Sequence, residues 1–153
     1  MSFLLEMVGH VRGGRPDAFD DNWGASRARI ELDAGRFTAD ALAGLSDFSH
    51  AEIIFLFDRV SQGEIERGAR HPRGRTDWPQ VGIFAQRGRN RPNRLGSCVC
   101  RIVAVEGLHL HVEGLDAIDG TPVLDIKPVL TGFLPRGEVR EPAWAVEIMK
   151  DYW

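Results

Sequence analysis

Cysteine is scarce in this chain of 153 residues: only Cys98 and Cys100 are present. Both lie in "SCVCRIVAV", which reads as a strand. Two positions apart they share one face, and a strand cannot easily bend to bridge them. No second cysteine pair exists to complete a C-x-C zinc half-site, so free buried thiols and no metal are expected. Long apolar runs are also missing. None approaches the roughly 18–20 residues needed to cross a bilayer, which excludes a spanning helix. The opening "MSFLLEMVGHVRGG" meets Glu6 before any long apolar region develops, which argues against a secretory leader and favours a cytoplasmic protein with no membrane partner. There is no G-x-S-x-G elbow, so a serine hydrolase is rejected. No G-x-G-x-x-G opens a helix after a strand, so a Rossmann-type cofactor site is unsupported. Repeats, low-complexity tracts and dividing linkers are absent too, and the length suits one domain over 1–153 with a real core.

Lysine is missing from the one stretch where positive charge collects. The whole chain carries a net −3. Residues 67–94 hold eight arginines against a single acid, Asp77, a local +7 that leaves −10 for the remainder. One basic segment on an acidic body points to a local anionic ligand, and arginine's planar fork suits phosphate or carboxylate. A solvated arginine-rich loop would give the same pattern.

What is present reads mainly as strand. "SRARIELD" (26–33) alternates Ala28, Ile30 and Leu32 with charged residues, the pattern of a half-buried strand. "LEMVGHV" (5–11) is a strand interrupted by Gly9. "AEIIFLFDRV" (51–60) is an apolar, β-branched and aromatic run expected to be a central strand. "QVGIFAQR" (80–87) adds another, and 121–130 a short one between prolines. Residues 97–118 form a hairpin turning at Glu106-Gly107. A short helix is expected over 37–45, with Thr38 as its cap and Gly44 as its stop. Residues 61–79 read as loop. The end, "EPAWAVEIMKDYW", is expected to be a helix with Trp144, Ile148 and Tyr152 along one face. Six or seven short strands with few helices predict an all-β chain: a single small closed β-barrel with a few short helices and a C-terminal helix.

Several clusters carry candidate chemistry. In "QRGRNRPNRLGSC" (86–98), Pro92 fixes φ, Asn93 tolerates unusual backbone angles, and Gly96 permits close approach. A turn so constrained positions its arginines. In "GLDAIDGTPVLDIKP" (114–128), Asp116, Asp119 and Asp125 flank a Gly-Thr-Pro turn ahead of Lys127. Singly such aspartates bond local backbone; together they suit ligand amines and ribose hydroxyls. Ser49-His50 precede the central strand. His109 and His111 share a hairpin face, where exposure is the simpler expectation than a metal pair. "DDNWG" (20–24) could be a flap or a plain loop.

Taken together, these stretches resemble the TsaA/TrmO-like family of S-adenosylmethionine-dependent tRNA methyltransferases. The resemblance lies in Gly44-Leu45 and Phe48-Ser49-His50, "GIFAQR" (82–87), "RPNRLG" (91–96) and "DAIDGTPVLDIKP" (116–128), and it covers roughly residues 5–130. It implies a small β-barrel that binds S-adenosylmethionine, with a homodimer completing the site. It also implies methylation of N6 on a threonylcarbamoylated adenosine beside the tRNA anticodon. Cofactor contacts would fall on Asp21, Asn22, Trp23, Asp58, Arg59, Arg87, Val99, Asp116, Ile118, Asp119, Gly120 and Thr121. The family carries His-Gln where this chain has Asp58-Arg59, and its full-length bacterial members carry a further C-terminal domain.

Methyl transfer from a sulfonium asks the protein mainly for position and a dry, shaped site. The acceptor nitrogen must lose a proton, for which Asp119 and His50 are the candidate catalytic groups. Arg89, Arg91, Arg94 and Lys127 are the candidate RNA contacts. Two other functions fit: an S-adenosylmethionine-binding module or sensor without methyl transfer, and a barrel that grips nucleic acid without the cofactor.

Overall fold

The structure, a computed structural model, describes all of residues 1–153. Alternation of side chains across a pleated strand decides the architecture. Strand β1 is Gly9–Gly13 and β2 is Arg27–Leu32. Strand β3, His50–Leu56, turns Ala51, Ile53 and Phe55 inward and His50, Glu52 and Ile54 outward. A small separate ribbon pairs β4 (Ala69–Arg70) with β5 (Val81–Gly82). Then come β6 (Leu95–Glu106), β7 (His109–Glu113) and β8 (Pro122–Pro128). Six of these strands close into an antiparallel barrel in the order β1-β2-β7-β6-β3-β8, and β8 returns to β1. The chain has one regular α-helix, α1 (Ala143–Ile148). No helix is long and apolar enough to cross a membrane.

The barrel interior is filled by one residue from each inward position. Val11, Ile30, Ile53, Leu110, Val112 and Val123 are fully buried, with Phe55, Cys98 and Cys100 beside them. Burying one such large aliphatic chain stabilises by about 1.5–3 kcal/mol, so this layer outweighs any surface ion pair. A bulge between Ile54 and Phe55 shifts the β3–β8 register. It lets Val123 and Ile126, an odd number of residues apart, both meet inward positions of β3. At the other wall Gly9 is required for contact rather than being an interruption: a Cβ there would overlap the Glu31 carbonyl of the paired strand.

Five expectations are corrected. The first strand begins at Gly9, not at residue 5, and Leu4 and Leu5 are exposed. The expected helix over 37–45 is two 3₁₀ turns, Ala39–Leu42 and Leu45–Asp47. Between them Gly44 takes a left-handed φ of 83°, and Thr38 makes no side-chain cap. The expected strand over 80–87 is only Val81–Gly82 followed by a 3₁₀ turn, and it lies outside the barrel. The hairpin turns at Gly107-Leu108, one residue later than expected, and its second strand stops at Glu113. The C-terminal helix forms but is only six residues long.

Candidate functional site

Motif residues collect in two places. The first is one end of the barrel, where the turn after β7 meets the loop after β1. Gly120, at φ 84°, allows the turn that stitches it to β1. The Gly120 amide donates to Val11 O (2.8 Å), the Val11 amide to Thr121 O (2.9 Å) and the Asp119 amide to Arg15 O (2.8 Å). The Gly13 amide donates to Asp119 Oδ1 at 2.9 Å, and the buried Thr121 hydroxyl donates to Ile118 O at 2.7 Å. Asp119 is therefore held by backbone while remaining exposed.

The Asp21–Trp23 loop is tied to this turn through Arg15 and to the 72–74 turn through Arg73, two arginines that sequence reasoning passed over. The Arg15 guanidinium lies 4.1 Å from the Trp23 ring centroid and donates to Asp21 O (2.8 Å) and Asn22 O. Arg73 pairs with the Asp21 carboxylate at 2.8 Å. Trp23 is buried, and its indole N–H donates to Phe19 O at 3.0 Å. Arg59, just past β3, donates to Pro16 O at 3.3 Å, so the Asp58-Arg59 pair borders the same loop. An arginine that braces carbonyls has no signature in a single sequence, so the charge count alone could not pick out Arg15 or Arg73.

Asp116 sits where this end meets the core. Its Oδ2 accepts from the Tyr152 hydroxyl at 2.5 Å, and its Oδ1 is buried with no hydrogen-bond partner. Cys98, on β6, points its thiol at Gly114 O, 3.3 Å away. Burial, then the Asp116 charge, pushes the thiol pKa of Cys98 well above its ordinary value; the same two causes push Cys100 up to about 12. Both thiols are thereby kept protonated and inert. Tyr152 is also pushed up, first by burial and then by Asp116, so its hydroxyl stays a donor.

The second place is the outer face of β3, β6 and β8. Glu52 stands between Val99 on β6 and Lys127 on β8. Val99 is 50% exposed, an apolar residue left on an open surface. The Ser97 hydroxyl donates to Glu52 at 2.6 Å, and Arg87 donates to Ser97 O at 2.7 Å. Lys127 pairs with Asp125, whose hydrogen bond raises the lysine pKa. His50 meets the Ser49 hydroxyl at 2.7 Å through Nδ1. The Arg-Pro-Asn turn beside this face is rigid, with Asn93 and Arg94 at positive φ. Arg91 donates to Gln86 O (2.7 Å) and Arg94 to Val60 O (2.8 Å), while Arg89 is exposed. Gly96 leaves room for the Phe55 ring, which a Cβ there would overlap. Gln86, buried and donating to Arg70 O and Val81 O, organises the whole loop; nothing in its sequence neighbourhood marks it out.

The fold thus brings Asp21, Asn22, Trp23, Arg59, Asp116, Ile118, Asp119, Gly120 and Thr121 to one end. It leaves Arg87, Val99, His50, Arg89, Arg91, Arg94 and Lys127 on or beside the outer face. Strand alternation separates the groups: Val99 and the neighbouring Cys98 point to opposite faces of β6, and it is Cys98 that looks toward the Asp116 turn. A cavity of about 420 Å³ opens at the barrel end between Arg15, Asn22 and Arg27. A larger one of about 460 Å³, lined by His10, Glu31 and His109, contains none of the motif residues. His109 lies beside His111, which does not line this cavity; their rings are 6.3 Å apart, and each faces a glutamate.

Residues 20–133 match the family model described as the tRNA-methyltransferase O N-terminal domain. The chain is 38% identical over 110 residues to the tRNA (adenine(37)-N6)-methyltransferase of Mus musculus, covering 71% of this chain and 25% of that protein. It is 37% identical over 89 residues to an S-adenosyl-L-methionine-binding protein of Archaeoglobus fulgidus, covering 58% of this chain and 60% of that one. Among solved structures, the crystal structure of TrmO from Pseudomonas aeruginosa superposes with a TM-score of 0.73 at 30% identity, covering 92% of this chain and 62% of that one. The chain therefore spans less than two thirds of the length of each of these relatives.

Proposed function

This chain belongs to the family of the tRNA-methyltransferase O N-terminal domain, and from that premise we propose that it is an S-adenosylmethionine-dependent methyltransferase acting on N6 of a modified adenosine in the tRNA anticodon loop. Residues 1–153 act as one domain in this proposal, and with a tRNA substrate the protein works in the cytoplasm. The observation that carries it is the barrel end, where the Asp116–Thr121 turn and the Asp21–Trp23 loop lie together. Asp116 Oδ1 is a buried acceptor with no partner, the kind of group that a ligand hydroxyl or ammonium would satisfy. Tyr152 links Asp116 to the Trp23 amide, and the Asn22 and Trp23 amides are donors of the kind that would suit a nucleoside carrying an amino acid moiety. S-adenosylmethionine, when bound, supplies an already activated methyl group.

The residues of the chain then have distinct tasks. Asp116 and the 118–121 backbone orient the ligand; Trp23 helps to exclude water. Asp119, exposed yet held by the Gly13 amide, accepts the proton released from the acceptor nitrogen, with His50 as the other candidate. Arg87 and Val99 face another way on the same protomer. A second copy presenting that face to the Asp116 turn would bring both groups to one ligand, which supports a homodimer. Arg89, Arg91, Arg94 and Lys127 would meet tRNA phosphates, and a single-stranded anticodon loop makes an unstacked base inexpensive to reach.

The test is calorimetry with S-adenosylmethionine followed by a labelled-methyl assay on tRNA from a strain lacking the modification. Saturable binding with methyl incorporation is expected. Binding without incorporation into any RNA would instead make the protein a binding module, and no binding at millimolar ligand would remove the cofactor altogether.

A further inference from the structure

The last residues of the chain occupy the polar groups that the motif residues would offer to a ligand. The Asn22 amide donates to Asp151 O at 2.9 Å, and the Trp23 amide donates to Tyr152 O at 2.8 Å. The Tyr152 hydroxyl donates to Asp116 Oδ2 at 2.5 Å. Trp153 lies so close to Gly24 that a Cβ on that glycine would come within 2.7 Å of the Trp153 carbonyl carbon. Two donors and one carboxylate oxygen of the candidate site are therefore satisfied from inside the chain, all by residues 151–152.

The segment is anchored but weakly buried. Before it, Glu147 on α1 accepts from the Trp78 indole at 2.6 Å. Asp151 and Trp153 are exposed, and Tyr152 is half-buried. Residues 149–153 lie outside α1, and no residue from 143 onward belongs to the buried core. A handful of hydrogen bonds at a surface opens locally far more easily than the barrel does.

We propose that residues 151–153 form an intrasteric strap, which closes the Asp21–Trp23 and Asp116 site and must be displaced before a ligand binds there. The strap mimics the ligand's own contacts: its carbonyls take the N–H groups that a ligand carboxylate would take, and its hydroxyl takes the oxygen that a ligand hydroxyl or amine would take. A ligand behind the closed strap would find these groups already bonded, so the segment competes for the site rather than walling it. The inference rests on the proposal that Asp116 and the 21–23 loop hold S-adenosylmethionine. Apparent affinity is then reduced by the fraction of molecules in which the strap is open.

S-adenosylmethionine is titrated by calorimetry into the full chain, into Tyr152→Phe and into a variant lacking residues 150–153, with thermal melting of each. Weakening the closed state should tighten binding, about threefold in Tyr152→Phe and about tenfold in the shortened variant. If the shortened variant does not melt cooperatively, Trp153→Ala takes its place. Binding seen only in the variants also supports the strap. Equal or weaker binding by folded variants, while the full chain binds, overturns the strap and leaves the cofactor site standing. No binding by any of them overturns the cofactor site and the strap with it.

Discussion

At the Asp116 end of the barrel, polar groups of the motif residues are bonded to other parts of the chain, with Asp116 Oδ1 the exception. Asp21 is paired with Arg73, the Asn22 and Trp23 amides are met by the C-terminal segment, and Asp116 is met by Tyr152. On the outer face of β3, β6 and β8 the charged side chains are also tied within the chain, but no segment covers the face: Val99 stands exposed and Arg87 uses one guanidinium nitrogen on Ser97 O while its side chain stays at the surface. A region sealed from within must open to bind, whereas an open region needs only a partner of the right shape. The two halves of one candidate site should therefore respond differently to mutation.

The largest effect should erase the contrast altogether. Ile53 is fully buried midway along β3, the strand that underlies both regions. Ile53→Ala should cost about 2–5 kcal/mol through lost burial and a residual cavity, measured by urea unfolding, with binding lost alongside it. A smaller loss would mean the barrel collapses around the gap.

Val99→Arg should sharpen the contrast by leaving the fold alone. Surface changes of this kind stay within about 0.5 kcal/mol in stability. If the outer face serves the ligand, affinity for S-adenosylmethionine should fall about tenfold, which is about 1.4 kcal/mol, and the proposed homodimer should weaken when followed by sedimentation. Arg87→Ala should weaken the same binding by a similar factor, and unchanged affinity in both variants would assign the ligand to the Asp116 end alone.

Alkaline pH probes the sealed end. Cys100 is pushed up to about 12 in the folded chain, above the value near 9 of a free thiol. Between these values the unfolded chain loses a proton that the folded chain keeps, so stability present below pH 9 is lost progressively as pH rises toward 12. The melting temperature should fall more gently over that window in Cys100→Ala than in the parent chain. Native Cys98 and Cys100 should also resist alkylation at pH 8 and react once unfolded.

The smallest effect tests a brace. Arg73→Ala removes the partner of Asp21, a partly exposed pair, and should cost about 0.5–1 kcal/mol or less. Its visible consequence should be faster amide exchange at Asn22 and Trp23, with the barrel strands unaffected.

Strands β2 and β7 were legible because each alternates polar and apolar residues with period two, and β3 because it is an unbroken apolar, β-branched and aromatic run. The stretch 80–87 has the same apolar look but cannot be a barrel strand. Its Ile83 is buried in a 3₁₀ turn while Phe84 is 77% exposed, and Gln86 uses its amide to close the loop. The helix expected over 37–45 ends at Leu42, where Ala43 leaves helical backbone, and Gly44 then takes a left-handed φ that no right-handed turn continues. At the site, the Asp-Gly-Thr turn was legible from its turn chemistry. The roles of Arg15, Arg73 and Tyr152 were not, since each acts on a residue distant in the chain.

By itself, the sequence determined the all-β class, the inward-facing residues and the local form of the two turns, since these depend on side-chain period and on backbone angles a few residues apart. Only the tertiary structure decided which motif residues share one end of the barrel, which are turned to the far face of β6, and that residues 151–153 lie across Asp116. Those include contacts between segments more than a hundred residues apart, and no local pattern encodes them.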